Sequence, residues 1–180
     1  MPNAIIFGAT SGIGNALIPY LINDGYAIAI TGRRQELLDQ IKAEYSNHIV
    51  IYQNDIQDVK QTETVFQNIV AELNTVNLII HCSGIGYENP ELHWKEEYDT
   101  IKTNVIGATK IYDLAFHLFK KQDFGHLAAI SSIASLRGSR GAPAYFASKA
   151  YQVNYLESLY LKTKEVKGRN IYNRYKTRIY

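Results

Sequence analysis

Residues Ala4-Ile5-Ile6-Phe7 run directly into Gly8-Ala9-Thr10-Ser11-Gly12-Ile13-Gly14, and this join decides the fold. An apolar run without polar alternation has the composition of a strand buried on both faces. The glycines after it permit a tight turn and a close approach of backbone to a ligand. The helical pattern that follows, Gly12–Asn23, would present free N–H groups and a positive dipole end at that turn. A strand, a glycine turn and a helix in this order form a cradle for phosphate. The spacing is GxxxGxG, not the GxGxxG of the commonest dinucleotide fingerprint. A purely structural turn is the alternative reading.

Working outward, apolar runs of strand length recur at Ala27–Thr31, Ile49–Gln53, Leu78–Cys82 and Leu127–Ser131. Amphipathic stretches of helix length separate them, at Arg34–Tyr45, Val59–Leu73, Trp94–Lys120 and finally Ala144–Lys164. Regular alternation of strand and helix implies right-handed crossovers and a parallel sheet covered on both faces. The expected fold is a Rossmann-type doubly wound α/β sheet of order 3-2-1-4-5. Its ligand crevice should lie at the carboxyl ends of the strands.

Bulk properties narrow the function classes. The 180 residues suffice for one domain, 46% are hydrophobic and 20% charged, and no apolar run has the length of a membrane span. No basic segment precedes the first apolar run, so a signal peptide is not expected. The single cysteine, Cys82, cannot form an internal disulfide, which suits a reducing cytoplasm. The net charge of +2 is uneven, because Lys162–Tyr180 holds seven basic residues and one acid, Glu165. A nucleic-acid contact is one reading of that tail, tested by a salt-dependent DNA shift. A solvated helix end followed by a disordered tail is the simpler one. No metal site is expected.

The second strand ends in Thr31-Gly32-Arg33-Arg34, with no acid until Glu36. An acid near this point would accept bonds from ribose hydroxyls, whereas an arginine suits a 2′-phosphate. The third strand leads into Asn54-Asp55-Ile56, where Asp55 could bond an adenine amino group or serve as a turn or N-cap residue. Tyr145-Phe146-Ala147-Ser148-Lys149 opens the last helical pattern and puts Tyr145 and Lys149 on one face. A lysine ammonium beside a phenol favours the phenolate, so Tyr145 could act as a general acid and base. Such a pair is common by chance in a chain with 14 tyrosines. The context changes its weight: the fifth strand ends in Ile130-Ser131-Ser132, with Ser132 at the mouth of the expected crevice.

Together these motifs resemble the short-chain dehydrogenase/reductase family, over residues 3 to about 172. The resemblance rests on Gly8 to Gly14, Thr31 to Arg34, Asp55, Asn104 within Thr103-Asn104-Val105-Ile106-Gly107, Ile130 to Ser135, and Tyr145 to Lys149. It implies hydride transfer between NADP(H), with NAD(H) as the alternative, and a small-molecule carbonyl or alcohol. It implies catalytic roles for Asn104, Ser132, Tyr145 and Lys149. Tyr145 would exchange the proton, Ser132 would polarise the substrate oxygen, and Lys149 would lower the phenol's pKa and bond the nicotinamide ribose. Asn104 would support a water linking Lys149 to solvent, against the alternative of an ordinary polar residue on the fourth helix. The implied cofactor contacts are Gly8, Thr10, Ser11, Gly12, Ile13, Gly14, Arg33, Arg34, Asp55, Ile56, Ser83 and Gly84, with Asn104, Tyr145 and Lys149. A homodimer or homotetramer is implied, paired through Trp94–Lys120 and Ala144–Lys164, whose apolar residues include Ile111, Leu114, Phe116, Tyr151, Tyr155 and Leu159. Neither nucleic acid nor membrane is an expected partner.

Three features depart from the family pattern. The usual Asn-Asn-Ala-Gly after the fourth strand reads His81-Cys82-Ser83-Gly84, and His81 reads as a structural strand-end residue. Phe7 stands where a small or hydroxyl residue is usual. After Asn170-Ile171-Tyr172, where a sixth strand should begin, the chain ends in Asn-Arg-Tyr-Lys-Thr-Arg-Ile-Tyr. Codons for these eight residues exist that, read one base later, give Thr-Asp-Ile-Arg-Pro-Gly-Phe, the Pro-Gly segment that the family pattern places here. The expectation is a dinucleotide-binding domain over 1–172 and an out-of-frame tail over 173–180. The sixth and seventh strands would then be largely missing, the fifth strand would be a bare edge, and activity would be reduced. A catalytically silent nucleotide-binding or assembly protein is the rival reading. The encoding DNA beyond the Tyr172 codon decides the frame.

Overall fold

The computed structural model describes residues 1–165 and 175–179. Its sheet is parallel throughout, in the order β3-β2-β1-β4-β5-β6. The strands are β1 (Asn3–Phe7), β2 (Ala27–Gly32), β3 (Ile49–Gln53), β4 (Leu78–His81), β5 (Gly125–Ala129) and β6 (Tyr175–Ile179). The order of the first five is the one the alternation implies. In β1, Ile5 and Phe7 point to one face and Ala4 and Ile6 to the other, all four fully buried. One face packs on Phe66 and Ile69 of α4 (Val59–Leu73), Ile111 and Tyr112 of α6 (Ala108–Gln122) and Leu156 of α7 (Pro143–Glu165). The other packs on Ile18 and Leu21 of α2 (Ile18–Asn23) and Leu38 of α3 (Gln35–Glu44). Phe7 stacks on Phe66 with ring centroids 6.4 Å apart, so its bulk fills this core.

Helices depart from their sequence patterns in two places. The stretch Gly12–Asn23 divides at Leu17 into α1 (Gly12–Ala16) and α2. Pro19 explains the break: it has no N–H to continue the ladder, and its ring crowds the preceding turn. The stretch Trp94–Lys120 is not one regular helix either. It comprises α5 (Trp94–Ile101), a π-helical turn (Lys102–Gly107) and α6. Helix α4 matches its expected bounds, with Asp58 accepting from the N–H groups of Lys60 and Gln61 as its N-cap.

The fifth strand begins and ends two residues before its expected limits. The Ile130 N–H still reaches the His81 carbonyl. Ser132 therefore lies beyond the strand, where its Oγ accepts from the Ala134 N–H and caps a 3-10 turn (Ile133–Leu136). Strand β5 is not the expected bare edge, because β6 pairs with it from Gly125↔Tyr175 to Ala129↔Ile179. An uncovered edge offers a row of N–H and C=O groups, and the alternating Tyr, Thr and Ile of residues 175–179 favour extended backbone. The strand start expected at Asn170-Ile171-Tyr172 lies outside the described residues. No described helix is long and apolar enough to cross a membrane.

Candidate active site

The carboxyl ends of β1, β2, β3 and β4 open on a cleft of about 290 Å³. Its floor is the turn after β1. Gly8 has φ +87°, and a Cβ there would lie 2.6 Å from Ser83 Oγ. A Cβ on Gly14 would lie 2.2 Å from the Gly8 carbonyl oxygen. Neither position accepts a side chain without moving backbone, so the turn stays flat and its surface stays free for a ligand. Thr10, Ser11, Arg33, Arg34, Asp55, Ile56, Ser83 and Gly84, all singled out by sequence, line this cleft. Gly12 (φ +58°) and Ile13 sit at the start of α1.

Arg34, more than Arg33, engages the phosphate turn. Its Nη2 donates to Thr10 Oγ1 at 3.0 Å and to Ser11 Oγ at 2.9 Å. Both arginines are exposed, with Gln53 Nε2 donating to the Arg33 carbonyl at 3.0 Å. Asp55 takes the turn role: its Oδ1 accepts from the Gln57 N–H at 3.0 Å, while Asp58 is the cap. Thr31 Oγ1 and Asn54 Nδ2 are buried without a hydrogen-bond partner, and both residues line the cleft. Sequence reading passed over these two. A buried donor and a buried hydroxyl beside a glycine turn fit a polar nucleotide that would satisfy them.

A second cleft, about 860 Å³, adjoins the first and shares Cys82, Gly84 and Ile85 with it. Ser132 lines it together with Tyr145 and Lys149, although the serine follows β5 and the other two lie on α7. The Lys149 ammonium lies 6.0 Å from the centroid of the Tyr145 ring. Gly86 supports that ring, since a Cβ there would lie 2.5 Å from Tyr145 Cδ2. Lys149 is 6% exposed, and burial lowers its pKa from the ordinary lysine value. Its Nζ donates to the Ile130 carbonyl at 3.0 Å and to Gln152 Oε1 at 3.2 Å. Asn104 is fully buried within the π-helical turn. Its Oδ1 accepts from the Ile85 N–H, and its Nδ2 donates to the Ile85 carbonyl and to Ser148 Oγ. The side chain of Asn104 thus pins the loop between the two clefts.

His81 is structural, as its place at a strand end implies. It is 2% exposed, its Nδ1 pairs with Tyr112 Oη at 2.8 Å, and burial pushes its pKa down to about 3. Burial likewise pushes the Cys82 thiol up to about 12, which leaves it protonated and unreactive. Gly86, Gln152, Thr31 and Asn54 are the site residues that sequence reading missed. Two of them had a visible signal: Gly86 as a second glycine just after Gly84, and Gln152 as a polar residue three positions past Lys149 on the same helix.

A family model for the short chain dehydrogenase matches residues 2–172, and the chain belongs to that family. An uncharacterized oxidoreductase of Myxococcus xanthus is 30% identical over 161 residues, covering 87% of this chain and 64% of that protein. The NADP-dependent 3-hydroxy acid dehydrogenase YdfG of Escherichia coli is 28% identical over 150 residues, covering 82% and 60%. The chain thus spans less than two thirds of the length of these two relatives. Among solved structures, ElxO with NADP bound superposes with a TM-score of 0.84 at 23% identity, over 91% of this chain and 68% of that one.

Proposed function

We propose that the chain is an oxidoreductase that transfers hydride between NADP(H) and a carbonyl or alcohol substrate. The observation that carries this reading is the convergence of Ser132, Tyr145 and Lys149 on one cleft that opens into the glycine-turn cleft. When bound, the nicotinamide supplies or takes the hydride. The Gly8–Gly14 turn, Thr10, Ser11, Arg33 and Arg34 would hold the phosphates, with Asp55 and Asn54 beside the adenine. Tyr145 delivers a proton to the substrate oxygen in reduction and removes it in oxidation. Ser132 donates to that same oxygen and so polarises the carbonyl. The Lys149 ammonium, close to the phenol ring, stabilises the phenolate that proton delivery leaves behind. Asn104 keeps the loop at Ile85 in place between nucleotide and substrate. Oxidation of NADPH across a panel of carbonyl compounds tests the reading. Binding without turnover on any of them would favour a silent nucleotide-binding protein.

The arginines set the expected cofactor preference. The relative from Escherichia coli is NADP-dependent by name, and ElxO holds NADP. In this chain, two exposed guanidinium groups flank the cleft and none of its lining residues at the end of β2 is acidic. NADPH should bind more tightly than NADH by about 1–3 kcal/mol, the scale of charge-assisted hydrogen bonds. The double variant Arg33→Ala/Arg34→Ala should erase that difference in calorimetry. Equal affinities in the parent chain would sink the assignment.

Self-association is expected through α5, α6 and α7. Ile111 does not serve it, because it is fully buried in the core. Leu114, Phe116 and Leu159 remain half-buried, and Trp94 and Tyr98 are exposed and in contact with each other. A two-fold pairing would cover such surfaces. Light scattering at micromolar concentration should report a dimer or tetramer, and a monomer would count against the pairing.

A further inference from the structure

A buried ammonium has three donors and must find acceptors inside the protein. One acceptor of Lys149 is the Ile130 carbonyl, and the second is Gln152 Oε1 at 3.2 Å. Gln152 lies one turn further along α7, on the same face, and is 1% exposed. The other end of its carboxamide is also engaged. Nε2 donates to the Asn104 carbonyl oxygen at 2.8 Å. The π-helical turn helps to free that oxygen: the Ala108 N–H donates to the carbonyls of Thr103 and Val105, not to Asn104. An unbroken path therefore runs from the Lys149 ammonium, through one neutral amide, to a peptide oxygen of the neighbouring helix.

We infer that Gln152 is a positioning residue that holds the Lys149 ammonium beside Tyr145 by bridging it to the Asn104 carbonyl. Gln152 thereby joins Lys149 to the Asn104 carbonyl through a single side chain. The carboxamide suits the place because it accepts on one side and donates on the other without adding charge. A carboxylate there could not donate to the Asn104 oxygen and would partly cancel the ammonium's effect on the phenol. An aliphatic side chain would take one acceptor from the ammonium, leaving it the Ile130 carbonyl, and would remove the donor to the Asn104 oxygen. The groups facing Lys149 are Tyr145 from its own helix, and His81 and Cys82 from the end of β4. His81 is neutral above about pH 3, and Cys82 is protonated below about pH 12. The state of the ammonium therefore depends strongly on its acceptors.

The catalytic meaning of this bridge rests on the reductase reading, but its test does not. Carbon NMR of Cε-labelled lysines, on protein without cofactor, follows Lys149 through its titration, with Lys149→Arg providing the assignment. In Gln152→Met the ammonium loses an acceptor, and its titration should move about one pH unit lower, the shift expected for one hydrogen bond to a charged group. In Gln152→Glu the new carboxylate should move it above that of the parent chain. Opposite shifts in two variants are not what loss of packing alone produces. If the Met variant does not fold, the Glu variant decides by itself. An unchanged Lys149 titration in a folded variant overturns the proposal. Shifts as expected in a chain that never oxidises NADPH would uphold the bridge and reject the reductase reading.

Discussion

Replacing Tyr145 with Phe is expected to lower NADPH-dependent carbonyl reduction by roughly 10²–10⁴-fold, the range for loss of a positioned general acid. The substitution removes only the hydroxyl. The ring keeps its seat over Gly86 and its edge contact with Phe146, whose centroid lies 6.1 Å away. Stability and NADPH affinity should therefore stay near those of the parent, and the loss should fall on kcat. This pattern separates a chemical role from a packing role, since a disturbed cleft would weaken nucleotide binding as well. Steady-state kinetics with calorimetry measure both. A variant that retains more than a tenth of the parent turnover would remove Tyr145 from the chemistry.

Gly14→Ala should have a comparably large effect for a different reason. The added methyl would sit 2.2 Å from the Gly8 carbonyl oxygen, well inside contact distance, and the opposing atom is backbone. Either α1 or the Gly8 turn must shift. Gly8 itself cannot move far, because it packs against Ser83 on its other side. A displacement of about 1 Å at a site that positions reacting groups costs on the order of a hundredfold in rate. Here nucleotide affinity should fall together with turnover, which distinguishes this variant from Tyr145→Phe. Parent-like NADPH binding by a folded Gly14→Ala chain would show that the close approach at this turn is not required.

The parts of the site that were legible in the sequence are those carried by short segments. Tyr145 and Lys149 share a helical turn, and the Gly8–Gly14 loop is contiguous. Ser132 was found by its place after an apolar run, even though β5 ends at Ala129 and the serine lies on a capped 3-10 turn. Relations between distant segments were not legible. Nothing in Arg33-Arg34 says which guanidinium turns back to Thr10 and Ser11. Lys149 and Gln152 are visibly on one face, but the amide's second partner is a carbonyl 48 residues away, exposed to it by a π-helical turn that leaves no mark in apolar periodicity. Strand β6 was missed because residues 173–180 read as an out-of-frame tail, whereas the open side of β5 supplies backbone partners that composition does not reveal.

The π-helical turn between α5 and α6 also changes how the two helices can vary. Each residue of an α-helix advances the azimuth by about 100°, so the wider turn at Lys102–Gly107 sets α6 out of phase with α5. Ile111, Tyr112 and Ala115 of α6 face the core, whereas Trp94 and Tyr98 of α5 are exposed, and the wider turn lies between the two stripes. Removing one residue between Lys102 and Gly107 would straighten the rod and shorten it by only about 1.5 Å. Because an i→i+5 turn holds one more residue than an α-turn, the deletion would leave Ile111 and Tyr112 near their present azimuth. The extra residue of this segment thus serves the Asn104 carbonyl, and a single-residue deletion there should disturb its bond from Gln152 more than the packing of α6 on the sheet.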